Sequence, residues 1–109
     1  MTPAALRGLG IRLAIAAAIS LYLGSAHAED TNVMIDNFTF EPAQLTVKVG
    51  TTVTWKNRDD IPHTVVSAGK FRSKTMDTED SYSFTFTAAG DYKYFCSLHP
   101  HMTGTVKVE

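Results

Sequence analysis

"SYSFTFTAAGDYKYFCSLHPHMTGTVKVE", Ser81 to Glu109, alternates apolar and polar residues almost throughout. Tyr82, Phe84 and Phe86 fall on one face of an extended segment, with serines and threonines opposite. Ala88-Ala89-Gly90-Asp91 then reads as a turn. Beyond it Tyr92, Tyr94 and Cys96 share a face, and Val106 and Val108 share another near the end. A period of two marks half-buried strands, with one face on a core and one in water. Cys96 closes its strand, so its sulfur is expected at the rim of the fold and directed inward.

Working outward, the same pattern recurs upstream. "QLTVKV" sets Leu45, Val47 and Val49 on one face, and "TVTW" does so with Val53 and Trp55. Gly50, "NRDDIP" and "SAGK" supply turns between these segments, and Asp59-Asp60 reads as a solvated turn. The stretch from Lys70 to Asp80 has no clear pattern, and no segment sustains a helical period. Short antiparallel strands at this spacing predict an all-β sandwich or barrel with Greek-key connections.

The first 28 residues read differently. Arg7 and Arg12, the apolar run from Leu13 to Leu23, and Ala26-His27-Ala28 form the pattern of a cleaved secretory signal. The apolar run is about half the ~20 residues of a membrane-spanning helix. Cleavage after Ala28 leaves 109 less 28 residues, 81 in all, as one domain from Glu29 to Glu109. All eleven acidic residues lie in that part, against eight of the ten basic ones, for a net charge of −3. A mildly acidic surface argues against nucleic acid as a partner. A domain this small often needs a disulfide, a metal or a partner. With one cysteine an internal disulfide is impossible, and a metal would both staple the domain and occupy the thiol.

The donors for such a metal are at hand. Cys96, His99 and Met102 are spaced C-x2-H-x2-M, close enough for a short loop to fold around one ion. Thiolate, imidazole and a weak thioether suit copper, which takes trigonal Cys-His-His sites with a long axial methionine. Zinc is the rival, but structural zinc sites recruit four strong ligands, and a thioether is not one of them. The second histidine is His63 or His101. His63 follows Pro62 at what reads as the start of the strand "HTVVS", hence at a rim, whereas His101 crowds the loop of His99 and Met102. His63 is assigned as the ligand and His101 to the surface. Taken singly, a cysteine, a histidine or a methionine is more often packing than a ligand; the clustering decides for metal.

With these residues in hand, the chain resembles the cupredoxins, and among them the amicyanins. The resemblance runs from about Leu45 to Glu109 and is carried by "VKVGTTVTWKNRDDIPH" and "YSFTFTAAGDYKYFCSLHPHMTGTVKVE". The short C-x2-H-x2-M loop is its most specific part, because other cupredoxin groups carry longer loops there. Leu98 stands where amicyanins usually have proline, Thr64 where many cupredoxins have a bracing asparagine, and His101 where amicyanins have an aromatic residue.

The resemblance implies a cupredoxin-like sandwich of about eight strands holding one type 1 copper ion on His63, Cys96, His99 and Met102. It implies a small soluble protein that carries single electrons in the periplasm, is not an enzyme, and docks transiently with a redox donor and acceptor near His99. A monomer without stable membrane association is expected. The backbone N–H of Thr64 is expected among the groups that tune the sulfur. Ile61, Pro62, Leu98, Pro100 and Met76 are expected to form an apolar collar around His99. Two other functions are weighed. A copper carrier or resistance protein would use similar ligands, with His101 helping capture. An oxidative enzyme would require cleavage after Ala26, which frees His27 as an N-terminal chelator.

Overall fold

The computed structural model describes residues 30–109, so the expected signal segment lies outside the described residues. Nine strands are present among them: β1 (Asp30–Asp36), β2 (Thr39–Glu41), β3 (Gln44–Val47), β4 (Thr52–Asn57), β5 (Val66–Ser67), β6 (Phe71–Arg72), β7 (Ser81–Thr85), β8 (Gly90–Cys96) and β9 (His99–Val108). They form two sheets, ordered β2-β1-β4-β7 and β3-β9-β8-β5-β6. This is the expected all-β sandwich, one strand richer than the eight the resemblance implied. The expectation of purely antiparallel strands is corrected, because β1 pairs with β4 and β3 with β9 in parallel. Alternation within a strand says which face is buried, not which way the neighbour runs, so it does not reveal such pairs.

The core lies between the sheets and follows the alternation. Val53 and Trp55 of β4 and Val33 and Ile35 of β1 meet Tyr94 and Cys96 of β8 and Val106 and Val108 of β9. Phe86 is buried just past β7, where its N–H donates to the Thr51 carbonyl and its carbonyl accepts from Gly50. Val49 departs from its predicted face: β3 ends at Val47, the chain turns through Gly50 at a φ of 98°, and Val49 is 47% exposed. The patternless stretch from Lys70 contains β6 and a single bridge between Met76 and His63. A two-residue strand is too short to show a period.

Aromatic rings fill much of the interior. Trp55 packs nearly perpendicular to Tyr94 at 5.4 Å, and Tyr94 likewise packs on Phe40 at 4.7 Å. Such edge-to-face contacts add to the hydrophobic gain from burial. Tyr94 faces Gly104 across the β8–β9 ladder, and a Cβ at Gly104 would overlap the Tyr94 ring. Burial pushes the Tyr94 phenol above its ordinary pKa, against an opposing pull from the neighbouring Trp55 indole N–H. That N–H meets no acceptor in hydrogen-bonding geometry, so burial is the cause that dominates.

Gly104→Ala is expected to lower stability by about 1–3 kcal/mol, the range for overpacking a filled core, as measured by urea denaturation. The raised Tyr94 pKa gives a second expectation. A neutral phenol favoured by the fold contributes stability below its unfolded value of about 10, and that contribution is lost as pH rises through the folded value. Tyr94→Phe should therefore flatten the fall in stability above about pH 10. A decline identical to that of the parent protein would show that Tyr94 is not its source.

Candidate metal centre

One end of the sandwich gathers the chemistry. Cys96 is the last residue of β8 and His99 the first of β9, paired across a turn of only Ser97 and Leu98. The ladder then slips: Phe95 pairs with Thr103 while Cys96 pairs with His99, so Pro100, His101 and Met102 form a bulge. The slip turns the spacing read from sequence into an arc that folds over the Cys96 end of β8. Met102 is buried within the same core cluster as Cys96, while His101 is exposed, as expected. His99 was expected in a loop; it opens a strand and is partly buried.

His63 arrives from the other sheet's side of the chain. It was expected to begin a strand, but β5 starts only at Val66. His63 is held instead by a two-way bridge, its N–H donating to the Met76 carbonyl at 3.1 Å and its carbonyl accepting from Met76 N–H at 2.9 Å. Its side chain is fully buried. Nδ1 of His63 and Nδ1 of His99 each lie 3.7 Å from Cys96 Sγ. The three donor atoms fall within 4.8 Å of one another. The structure thus brings together His63, Cys96 and His99, and it buries Met102 in the core cluster that also holds Cys96.

The sulfur has further company. Thr64 N–H donates to it at 3.3 Å, as expected from the sequence. Thr64 Oγ1 accepts the Ser97 N–H at 2.8 Å and lies 2.8 Å from Ser97 Oγ. The threonine therefore ties the His63 segment to the Cys96–His99 turn, the bracing task for which an asparagine is more usual in the family it resembles.

Asp59 corrects a reading of the sequence. Asp60 is exposed, as a solvated turn requires, but the Asp59 side chain is only 11% exposed. Its Oδ2 accepts from His63 Nε2 at 2.8 Å and from Phe38 N–H at 2.9 Å, and its Oδ1 accepts from Asn37 N–H at 2.6 Å. Burial would raise the Asp59 pKa, but the Phe38 N–H, the His63 ring and the Asn37 N–H together hold it below the ordinary value. A proton on His63 Nε2 donated to this carboxylate leaves Nδ1, the atom facing the sulfur, free as a lone-pair donor. Behind Asp59, buried Asn57 donates to the carbonyls of Ile61 and Met76, both at 3.0 Å, and accepts from Asp59 N–H at 3.0 Å.

Phe38 is the residue that sequence reasoning missed. It sits with Asn37 in the two-residue turn between β1 and β2, and its ring lies 5.4 Å from that of His63 and 5.1 Å from that of His99. Both central residues have positive φ, 52° for Asn37 and 59° for Phe38. That backbone costs an L-residue about 1–2 kcal/mol, and such turns usually place glycine second. The expected apolar collar is also revised. Ile61, Leu98, Pro62 and Pro100 are exposed, whereas Met76 is buried in the core and Phe38 takes part in its place.

The donor set fits copper: one thiolate source, two imidazoles whose Nδ1 atoms face the sulfur, and a buried thioether. A family model described as copper binding proteins, plastocyanin/azurin family, matches residues 27–109. The chain is 40% identical over 93 residues to amicyanin from Paracoccus denitrificans, covering 78% of this chain and 71% of that protein. A solved copper(I) amicyanin variant superposes with a TM-score of 0.71 at 41% identity, covering 73% of this chain and 82% of the other. A purple cupredoxin from Nitrosopumilus maritimus superposes with a TM-score of 0.70 at 35% identity, covering 73% of this chain and all of that one (100%).

Thr64→Val keeps the N–H to sulfur but deletes the hydroxyl that holds Ser97. It is expected to cost about 1 kcal/mol, the net contribution of a lost hydrogen bond, by denaturant titration. Full stability in this variant would mean that the backbone alone holds the turn.

Proposed function

This chain belongs to the plastocyanin/azurin family of copper-binding proteins, and on that premise we propose that His63, Cys96 and His99 would hold its copper, with the Met102 thioether as a weaker fourth donor. The protein is a type 1 copper electron-transfer protein, and kinship with amicyanins and plastocyanins favours this over the copper-carrier alternative. The observation that carries the ligand assignment is the approach of both Nδ1 atoms to one sulfur at 3.7 Å. Bound there, copper supplies reversible one-electron exchange between Cu(I) and Cu(II).

The chain's own residues do the rest. Asp59 and the Met76 bridge fix His63 from two sides, and Thr64 fixes the sulfur to the same segment. A ligand set held this firmly keeps one geometry through both oxidation states, which lowers the reorganisation that electron transfer requires. The Thr64 N–H withdraws electron density from the thiolate and so favours the reduced state. Partly buried His99, with exposed Phe38 against its ring and exposed Leu98 next to it in the chain, is the route by which electrons leave and enter. An apolar rim of that kind suits a small, brief contact with redox partner proteins.

The same reading makes the protein an electron carrier and not an enzyme, working as a monomer in the periplasm. Residues 1–28 serve as a cleaved signal and 29–109 as the copper domain; the Arg7–Arg12 charge, the Leu13–Leu23 run and Ala26-His27-Ala28 support this.

Cys96→Ser should lose the intense visible absorption of the copper-loaded protein while circular dichroism still reports a folded β-sandwich. Undiminished colour would refute thiolate ligation.

A further inference from the structure

The backbone of Phe38 is strained and its side chain is poorly buried, which is an unusual combination. A bulky aromatic at a φ of 59° is a true outlier, since only glycine, asparagine and aspartate visit that region readily. Core packing does not account for it, because the residue remains 42% exposed. Strain of this kind persists where the surroundings over-determine it, and it clusters at functional sites.

What the ring touches supplies the reason. It stands nearly perpendicular to both imidazoles, at 87° to His63 and 86° to His99, while the two imidazoles lie 4.9 Å apart. Three rings thus form a closed triangle at the open end of the sandwich. The Asp59 carboxylate holds the turn that carries Phe38 through two backbone amides, and the same Oδ2 holds His63 from behind. Both imidazoles have the Phe38 ring packed edge-on against them. That ring, in turn, is anchored by the carboxylate that orients His63.

Resting on the ligand assignment above, we propose that Phe38 is a positioning residue that closes the copper site: it locks the His99 ring in place and bars small exogenous ligands from the metal. The glycine that the turn would prefer is forgone for this aromatic cover. Asp59 is the anchor, joining cover and ligand in one hydrogen-bonded unit.

The test uses the copper-loaded protein and three variants: Phe38→Gly, which suits the backbone but deletes the ring; Phe38→Ala; and Phe38→Tyr, which keeps the ring. Azide and imidazole are titrated separately while the visible spectrum is followed, and the rate of copper removal by a chelator is measured for each. The glycine and alanine variants should bind the probes more tightly and release copper faster, each by about tenfold or more, the scale on which groups behind metal ligands act. Phe38→Tyr should behave as the parent. Phe38→Gly guards against a folding defect, since relief of the turn should leave it at least as heat-stable as Phe38→Ala. Parental resistance to both probes in the glycine and alanine variants, with the copper band present, overturns the proposal alone. Absence of a copper band in the unsubstituted protein overturns the ligand assignment and the proposal with it.

Discussion

A single residue, Thr64, joins two stretches of chain that have no local reason to meet. Its N–H points at a sulfur 32 positions away, and its hydroxyl takes up the amide of Ser97. The two halves of the site meet at that junction, because one partner segment brings His63 and the other brings Cys96, His99 and Met102. Hydrogen bonds of this kind contribute about 1 kcal/mol each, which is small beside the burial of Trp55 and Phe86. Their importance lies in direction. Hydrophobic burial pulls the sheets together but does not choose where one loop sits on another, whereas donor–acceptor geometry does.

Around that junction the polar groups are satisfied in sequence. Asn57, fully buried at the end of β4, uses its amide nitrogen on two carbonyls and its oxygen on Asp59 N–H. Thr78 Oγ1 donates to the Asp59 carbonyl at 2.6 Å, and the Asp59 carboxylate then serves His63 and the β1–β2 turn. A buried carboxylate and a buried imidazole would each be costly alone, and together they are tolerable because each completes the other's bonding. By contrast, the Lys56 and Arg58 ion pairs with Glu79 lie at the surface, where such pairs contribute little. The network that positions the ligands is therefore the one centred on Asn57, Asp59 and His63.

The sequence made part of this legible for identifiable reasons. β4, β7, β8 and the end of β9 alternate cleanly because one face of each is wet. The arrival of Cys96 at a rim followed directly from counting by two. The β1–β2 hairpin was harder to see, because a two-residue turn usually announces itself by glycine and here the second position is Phe38. Asp59 looked like an ordinary turn residue since its neighbours Arg58 and Asp60 are polar; its partners are the β1–β2 turn from far upstream and His63. His63 was placed at the right rim for an incomplete reason. The rim is real, but the bridge to Met76 and the bonds from Asp59 hold the ring there, not a strand.

Those misses share a cause, and it bears on how the site works. Alternation reports what each segment does by itself, and the donor residues were visible because their chemistry is carried by the side chain alone. Most of the residues that fix the donors act through partners 13 to 33 positions away. The 4-residue reach from Asp59 to His63 is a local link made directly to a donor ring, and it is the one that sets that ring's tautomer. A centre built this way derives its rigidity from protein-to-protein bonds rather than from the ion. Substituting a supporting residue should therefore change how the centre behaves before it changes whether the chain folds.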